Sequence, residues 1–90
     1  MHGREEAMVS NSDVLITKHG VEMMLRRKIN SADLIDAIYD SEEISATGEE
    51  GVEVRKHASG RINLEVICKQ VRDDNKHYKI KVITVHKSVA

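Results

Sequence analysis

The segment IKVITVHK, residues 80–87, decides the fold that we predict for this chain. Its first half alternates apolar Ile80 and Val82 with Lys81, a pattern typical of a half-buried strand. From Val82 to Val85 the segment becomes apolar on both sides. We therefore expect a central strand of a sheet, whose second face is partly covered or concave.

Two stretches upstream of this strand show the same alternation. Val52 and Val54 are separated by charged residues, and the run 62–68 alternates over a greater length. Turn-forming residues fill 48–51 and 59–60, and a polar loop spans 72–76. The sequence thus predicts an antiparallel meander of three strands, and Ile44 favours a short additional edge strand.

The chain before the meander has helical periodicity. Apolar residues recur at helical spacing from Ile16 to Lys28, and Thr17 suits the N-cap position. Asn30 or Ser31 can cap a second helix that ends near residues 39–40. We therefore predict an α+β domain, with two N-terminal helices packed on one face of a three- to four-stranded antiparallel sheet.

Length and composition limit the classes of protein to consider. The 90 residues are enough for one domain with a single core, and 40% hydrophobic residues indicate a folded chain. We expect this domain to span residues 13–90, behind a flexible leader at residues 1–12. The net charge of -1 argues against a strongly basic nucleic-acid binder, although basic residues on one face could still form a local binding surface.

The cellular setting is predicted from the absence of two kinds of sequence signal. No apolar run approaches the length of a membrane span, and the first residues lack the apolar stretch of a signal peptide. The single Cys68 lies in a strand pattern and is read as a small buried hydrophobe, which suits a reducing compartment. We therefore expect a cytoplasmic protein without a membrane partner.

Histidine is the residue type that most directly suggests chemistry here. Cleaving RNA without a metal requires a base for the 2′-hydroxyl, an acid for the leaving oxygen and stabilisation of the phosphorane. His19, near the start of the first helix, is the leading candidate; the alternative is a histidine that packs over the sheet and bonds a backbone group. His86 is next, because regular alternation would place it on one face with Thr84, Val82 and Ile80, and the alternative is a frayed strand end.

Cations could hold the phosphate groups of such a substrate. Arg27 follows His19 by eight residues, which is about 12 Å along a helix and nearly the same face. Lys87 shares strand parity with Lys79 and Lys81, and this basic stripe is either solvated or tracks a phosphate backbone. Arg55 and Lys69 extend the stripe on the neighbouring strands.

The remaining histidines and the single cysteine give weaker signals. His57 belongs to a polar strand face that is most simply solvated, and His77 lies in a polar loop. The spacings of His19 and His57 do not match a local zinc pattern, and Cys68 is alone. We expect neither a metal nor a cofactor.

The layout of these residues resembles a known family. His19 eight residues before Arg27, a turn entering on Ile29, a second short helix and a final strand Thr84-Val85-His86-Lys87 are similar to small bacterial domains of the barnase, EndoU, colicin and RelE-like superfamily. The resemblance covers roughly residues 14–87 and implies an RNA-cleaving, toxin-type fold with a cognate antitoxin or immunity protein as partner. The chain departs from the pattern at Met23, where the family often has Arg, and at Lys28, which replaces a helix-ending Gly.

The sequence thus leads to one main hypothesis and two alternatives. The main hypothesis is a metal-independent endoribonuclease in which His19, Thr84 and His86 are catalytic. Arg27, Lys87 and Arg55 would bind the RNA phosphates. The alternatives are a non-catalytic module that binds protein or RNA, and an immunity protein. The main hypothesis expects the side chains of His19, Thr84 and His86 within about 10 Å of one another, around one elongated cleft.

Overall fold

The structure, a computed structural model, describes residues 6–11, 13–76 and 78–89, and the side chains from residue 13 onward within those ranges. Two helices and six strands follow one another along the chain. They are β1 (Glu6–Asn11), β2 (Val14–Thr17), α1 (Lys18–Arg27), α2 (Ser31–Tyr39), β3 (Glu43–Ala46), β4 (Val52–Ser59), β5 (Ile62–Gln70) and β6 (Ile80–Val89).

The six strands form one sheet in the order β1-β2-β6-β5-β4-β3. Neighbouring strands are antiparallel except β2 and β6, which are parallel. The predicted α+β class is confirmed, as are the meander β4-β5-β6, the edge strand β3 and the central position of β6. The predicted sheet of three to four antiparallel strands is wrong, because β1 and β2 add to it and make it mixed.

The helices are not N-terminal, since β1 and β2 precede them. All four residues of β2 are buried, and the first three form a continuous apolar run without the alternation by which strands are recognised. The sequence pattern instead assigned its last residues, from Ile16, to the first helix. β1 lies within the stretch predicted as a leader, and residues 1–5 and 12 of that stretch are outside the described residues.

Both helices cover the same face of the sheet, which we call the inner face. One core cluster joins α1 and α2 to inward-facing residues of β2, β5 and β6. Met24 and Leu34 enter it from the helices, and Val66 and Val82 from the two central strands. The opposite side of the sheet, which neither helix covers, is the outer face.

The helix boundaries follow the predicted capping residues closely. Thr17 caps α1 and its side chain accepts a hydrogen bond from the Gly20 amide, as expected. Asn30, rather than Ser31, caps α2. Lys28 ends α1 in the left-handed conformation, with φ 58° and ψ 50°, which Gly would adopt at lower steric cost.

An irregularity in β6 changes which of its side chains face the helices. Thr84 lies opposite Ile67 and Val82 lies opposite Cys68, so Ile83 is an extra residue between them, as in a β-bulge. Because of it, Val85 faces the core together with Val82 and is fully buried. The predicted shared parity of Ile80, Val82, Thr84 and His86 is therefore wrong: Thr84 and His86 face outward.

The same bulge interrupts the basic stripe predicted along β6. Lys81 precedes the bulge and lies on the outer face, opposite Lys69. Lys87 follows the bulge and lies on the inner face, opposite Leu64, and Lys79 precedes the strand. The stripe is therefore not continuous, and only its pairing of Lys69 with Lys81 remains.

Candidate functional site

The start of α1 lies directly against the bulge of β6. The Thr17 hydroxyl donates to the Ile83 carbonyl oxygen at 3.1 Å and accepts from the Gly20 amide at 3.0 Å. Gly20 approaches the strand so closely that a Cβ there would lie 3.3 Å from the Val82 carbonyl oxygen. His19 is exposed in this first turn of the helix.

These two hydrogen bonds limit how far His19 can be from Thr84. The Gly20 amide is bonded through one carbon to the Cα of His19, and the Ile83 carbonyl is bonded to the nitrogen of Thr84. With standard covalent lengths, the two Cα atoms can be no more than about 12 Å apart. The backbones of His19 and Thr84, 65 positions apart in sequence, therefore lie within that distance of each other, beside the middle of β6.

The side chains of Thr84 and His86 both project from the outer face, at successive outward positions of β6. Thr84 is half-buried opposite Ile67, and His86 is exposed opposite Glu65. Side chains two residues apart on one strand face lie about 7 Å apart. The two residues can thus contact the same or adjoining groups of a ligand that lies on this face.

Arg27 and Lys87 form a separate group on the inner side. The Lys87 ammonium donates to the Arg27 carbonyl oxygen at 3.2 Å, at the end of α1. The Nε of Arg27 is buried without a hydrogen-bond partner. The single cleft predicted from the sequence is therefore divided, with Thr84 and His86 on one face of β6 and Lys87 on the other.

The two contacts between α1 and β6 also show how the helix runs. Its start is bonded to Ile83 and its last residue, Arg27, to Lys87. The helix thus follows the strand for its whole length. Arg27 is about 12 Å from His19 along the helix axis, so these residues lie at opposite ends of an elongated surface.

Arg55 has structural partners on the inner face. Its Nε pairs with the Glu53 carboxylate, and its Nη1 donates to the Ile38 carbonyl oxygen at 2.9 Å. A cation is favourable at the C-terminal end of a helix, where carbonyl groups lack helical partners. The position of Arg55 therefore explains how α2 is held on β4, and we do not include the residue in the candidate site.

His57 acts at the same helix end, and its strand face is not the solvated one that the sequence suggested. Its Nδ1 lies 3.1 Å from the Asp40 carbonyl oxygen and 3.0 Å from a Glu42 carboxylate oxygen. The other oxygen of Glu42 accepts from the Ala58 amide at 2.8 Å. That amide is the main reason why the pKa of Glu42 lies below its ordinary value; desolvation opposes the shift, and His57 adds to it.

A small cavity next to these residues was not foreseen. It has a volume of about 50 Å³ and lies between the α1–α2 turn and the ends of β4 and β6. The titratable residues that line it are Lys28, Asp33, Asp36, His57 and Lys87. The helical pattern of the sequence marked Asp33 and Asp36 only as the polar side of α2, so no local signal pointed to the cavity.

A basic depression on the outer face was also missed. It is lined by Lys69, Arg72, Lys76 and Lys81, with Asp73 as its acidic member. The sequence signal was present in part, because Lys69 and Lys81 were expected on neighbouring strands. The two residues from the loop 71–79 were read only as part of a polar connection.

In the part of the chain that the structure describes, no three His, Cys, Asp or Glu residues are grouped as a metal site requires. Cys68 is 1% exposed, as the strand pattern predicted. Burial raises the pKa of its thiol to about 11, which keeps it protonated. His77 lies outside the described residues.

Comparisons with protein-family models, curated proteins and solved structures found no match for this chain. Among the described residues, no helix is both long and apolar enough to cross a membrane. The resemblance to ribonuclease domains therefore depends on the short motif around His19, Arg27 and Thr84.

Proposed function

We propose that this domain is a metal-independent endoribonuclease of toxin type, acting where the start of α1 meets β6. The observation that supports the proposal is the Thr17 hydroxyl bridge between Gly20 and Ile83, because it limits the separation of the His19 and Thr84 Cα atoms to about 12 Å. The nearby outward position of His86 adds a second group able to exchange protons near neutral pH.

The proposed reaction uses three side chains near the start of α1 and the middle of β6, namely His19, Thr84 and His86. One histidine removes the proton of the 2′-hydroxyl, whose oxygen attacks the adjacent phosphorus. The other donates a proton to the departing 5′-oxygen, and a 2′,3′-cyclic phosphate remains. The Thr84 hydroxyl donates to a non-bridging phosphate oxygen, where negative charge develops.

Arg27 and Lys87 fit a phosphate next to the one that reacts. They lie at the far end of α1, about 12 Å along its axis from His19. This separation is too great for these residues to contact the same phosphate as His19. It suits contact with an adjoining phosphate of the RNA. Positioning an RNA at two points orders its backbone before the chemical step.

Cleavage of labelled RNA in the presence of a chelator tests the proposal. We expect fragments that end in 2′,3′-cyclic phosphate. The DNA oligonucleotide of corresponding sequence, which lacks the 2′-hydroxyl groups, should stay uncleaved. His19→Ala should slow cleavage by about 100-fold or more, as expected for loss of a general acid or base. Glu22→Ala, an exposed position on the same helix, is the matched control and should retain the wild-type rate.

A non-catalytic binding module is the second candidate. It is favoured by the division of the cations from the outward-facing residues, since Lys87 and Thr84 lie on different faces of β6. This candidate predicts that the folded wild-type protein binds RNA or a protein partner and leaves RNA intact in the chelator assay. That result would replace the ribonuclease proposal.

A further inference from the structure

Four cations gather on the outer face near one end of the sheet. Lys69 and Lys81 lie directly opposite each other on β5 and β6. Arg72 and Lys76 belong to the connection between those strands and line the same depression. We call these four residues the outer basic patch.

Asp73 also lines this depression, but it forms no ion pair with the four cations in the part of the chain that the structure describes. Ion pairs among residues 13–76 and 78–89 join Arg55 to Glu53 and His57 to Glu42, and none involves the patch. Like charges directly opposite on neighbouring strands destabilise a sheet. An anion bound between Lys69 and Lys81 would remove that repulsion.

The small net charge of the chain hides a separation of charge along it. Residues 33–50 contain seven Asp or Glu and no Lys or Arg, whereas residues 76–87 contain four Lys and no acidic residue. The acidic segment forms α2 and the edge strand β3, while the basic segment enters and forms the central strand β6. The outer face beside β6 is therefore locally basic in a protein whose total charge is -1.

We propose that the outer basic patch binds the phosphate backbone of a single RNA strand and leads it to Thr84. Lys81 precedes Thr84 on the same strand face by about 10 Å, a distance that adjoining nucleotides can span. The identity of the strand as RNA rests on the proposed function. Binding through the patch itself requires no cleavage.

The patch suits recognition of the backbone rather than of the bases. Its only aromatic neighbour is Tyr78, which is buried, so exposed rings for base stacking are absent from the lining residues of this depression. Contacts of Lys and Arg with phosphates do not distinguish sequences and weaken as salt displaces them. The expected binding is thus tolerant of sequence and strongly dependent on salt.

Fluorescence anisotropy with a short, uncleavable 2′-O-methyl RNA measures this binding directly. The double variant Lys69→Gln with Lys81→Gln should lower the affinity by about tenfold at moderate salt. Its plot of log affinity against log salt should become shallower by about 1.4, or about 0.7 for each lost phosphate contact. The double variant Arg26→Gln with Arg61→Gln removes equal charge from exposed positions outside the patch and should change the affinity by less than about twofold.

Two results would overturn the inference. One is that both double variants lose the same affinity, or that neither of them loses any. The other is polyglutamate binding to the patch as tightly as RNA does, which would identify it as a surface for an acidic protein. Failure of the proposed function gives a different result. If the wild-type protein binds RNA through the patch but does not cleave it, this inference stands and the ribonuclease proposal fails. If the wild-type protein cleaves RNA and the patch variants bind and cleave it equally well, only the ribonuclease proposal stands.

Discussion

The two faces of the sheet use their polar residues in different ways. On the inner face, Arg55 and His57 hold the C-terminal end of α2, and Lys87 holds the end of α1. On the outer face, Thr84 and His86 have no helix over them. Polar side chains of the inner face therefore hold the helix ends in place, whereas Thr84 and His86 make no such contact with a helix. Substitutions on the two faces should therefore have separable effects.

The largest effect on stability is expected from an inner-face core residue. Leu34 of α2 is fully buried, so Leu34→Ala should lower the free energy of unfolding by about 2–5 kcal/mol through lost burial and a cavity. Leu25→Ala is the matched control, because Leu25 is 76% exposed on α1 and should cost less than about 0.5 kcal/mol. Urea denaturation measures both, and similar losses at the two leucines would contradict the assigned faces.

A smaller effect is expected at the contact between the helix layer and the bulge. Thr17→Ala removes the N-cap of α1 and its bond to Ile83, and should cost about 1–2 kcal/mol. Thr17→Ser keeps the hydroxyl and should retain most of that stability. If the alanine variant were as stable as the serine variant, the bridge would not hold the helix to the strand.

A gain in stability is expected where α1 ends. Lys28 adopts the left-handed conformation that Gly accepts without steric cost, so Lys28→Gly should raise the free energy of unfolding by about 1 kcal/mol. Lys28→Ala keeps the Cβ and serves as the control, with no comparable gain. Thermal denaturation of the two variants distinguishes relief of backbone strain from removal of the lysine charge.

The smallest effect is expected from the buried thiol at ordinary pH. Because the pKa of Cys68 is raised to about 11 in the folded protein, the neutral thiol contributes its stability below the unfolded value of 9.0 and loses it as pH rises toward 11. The free energy of unfolding should therefore not vary with pH through this group up to about pH 8. Labelling with a thiol reagent at that pH should be slow in the folded chain and fast in urea, and rapid native labelling would contradict the burial.

What the sequence could predict was set by local patterns. The caps Thr17 and Asn30 and the alternation of β4 and β5 depend on neighbouring residues, so they were found. β2 was missed because Val14 to Thr17 is buried throughout and shows no alternation. The bulge at Ile83 was missed because the contact made there comes from Thr17, 66 residues away in sequence.

The same distinction applies to the candidate site. The Thr17 bridge limits the distance between the backbones of His19 and Thr84, and the convergence of their side chains stays a prediction. The separation of Lys87 from Thr84 could not be predicted, since one extra residue in a strand reverses the face of every side chain after it. Arg55 was assigned to phosphate because its partner, the end of α2, is distant in sequence.

The central claim, that the chemistry takes place where the start of α1 meets β6, is tested most directly by single-turnover RNA cleavage in chelator with a Thr84→Val variant. The substitution keeps the shape of the side chain and removes its outward hydroxyl. Ser88→Ala removes an exposed hydroxyl farther along β6 and is the control. The account predicts that Thr84→Val cleaves about tenfold or more slowly at unchanged folded stability, while Ser88→Ala cleaves like the wild type. Equal rates in all three proteins, or RNA left intact by the folded wild type, would contradict it.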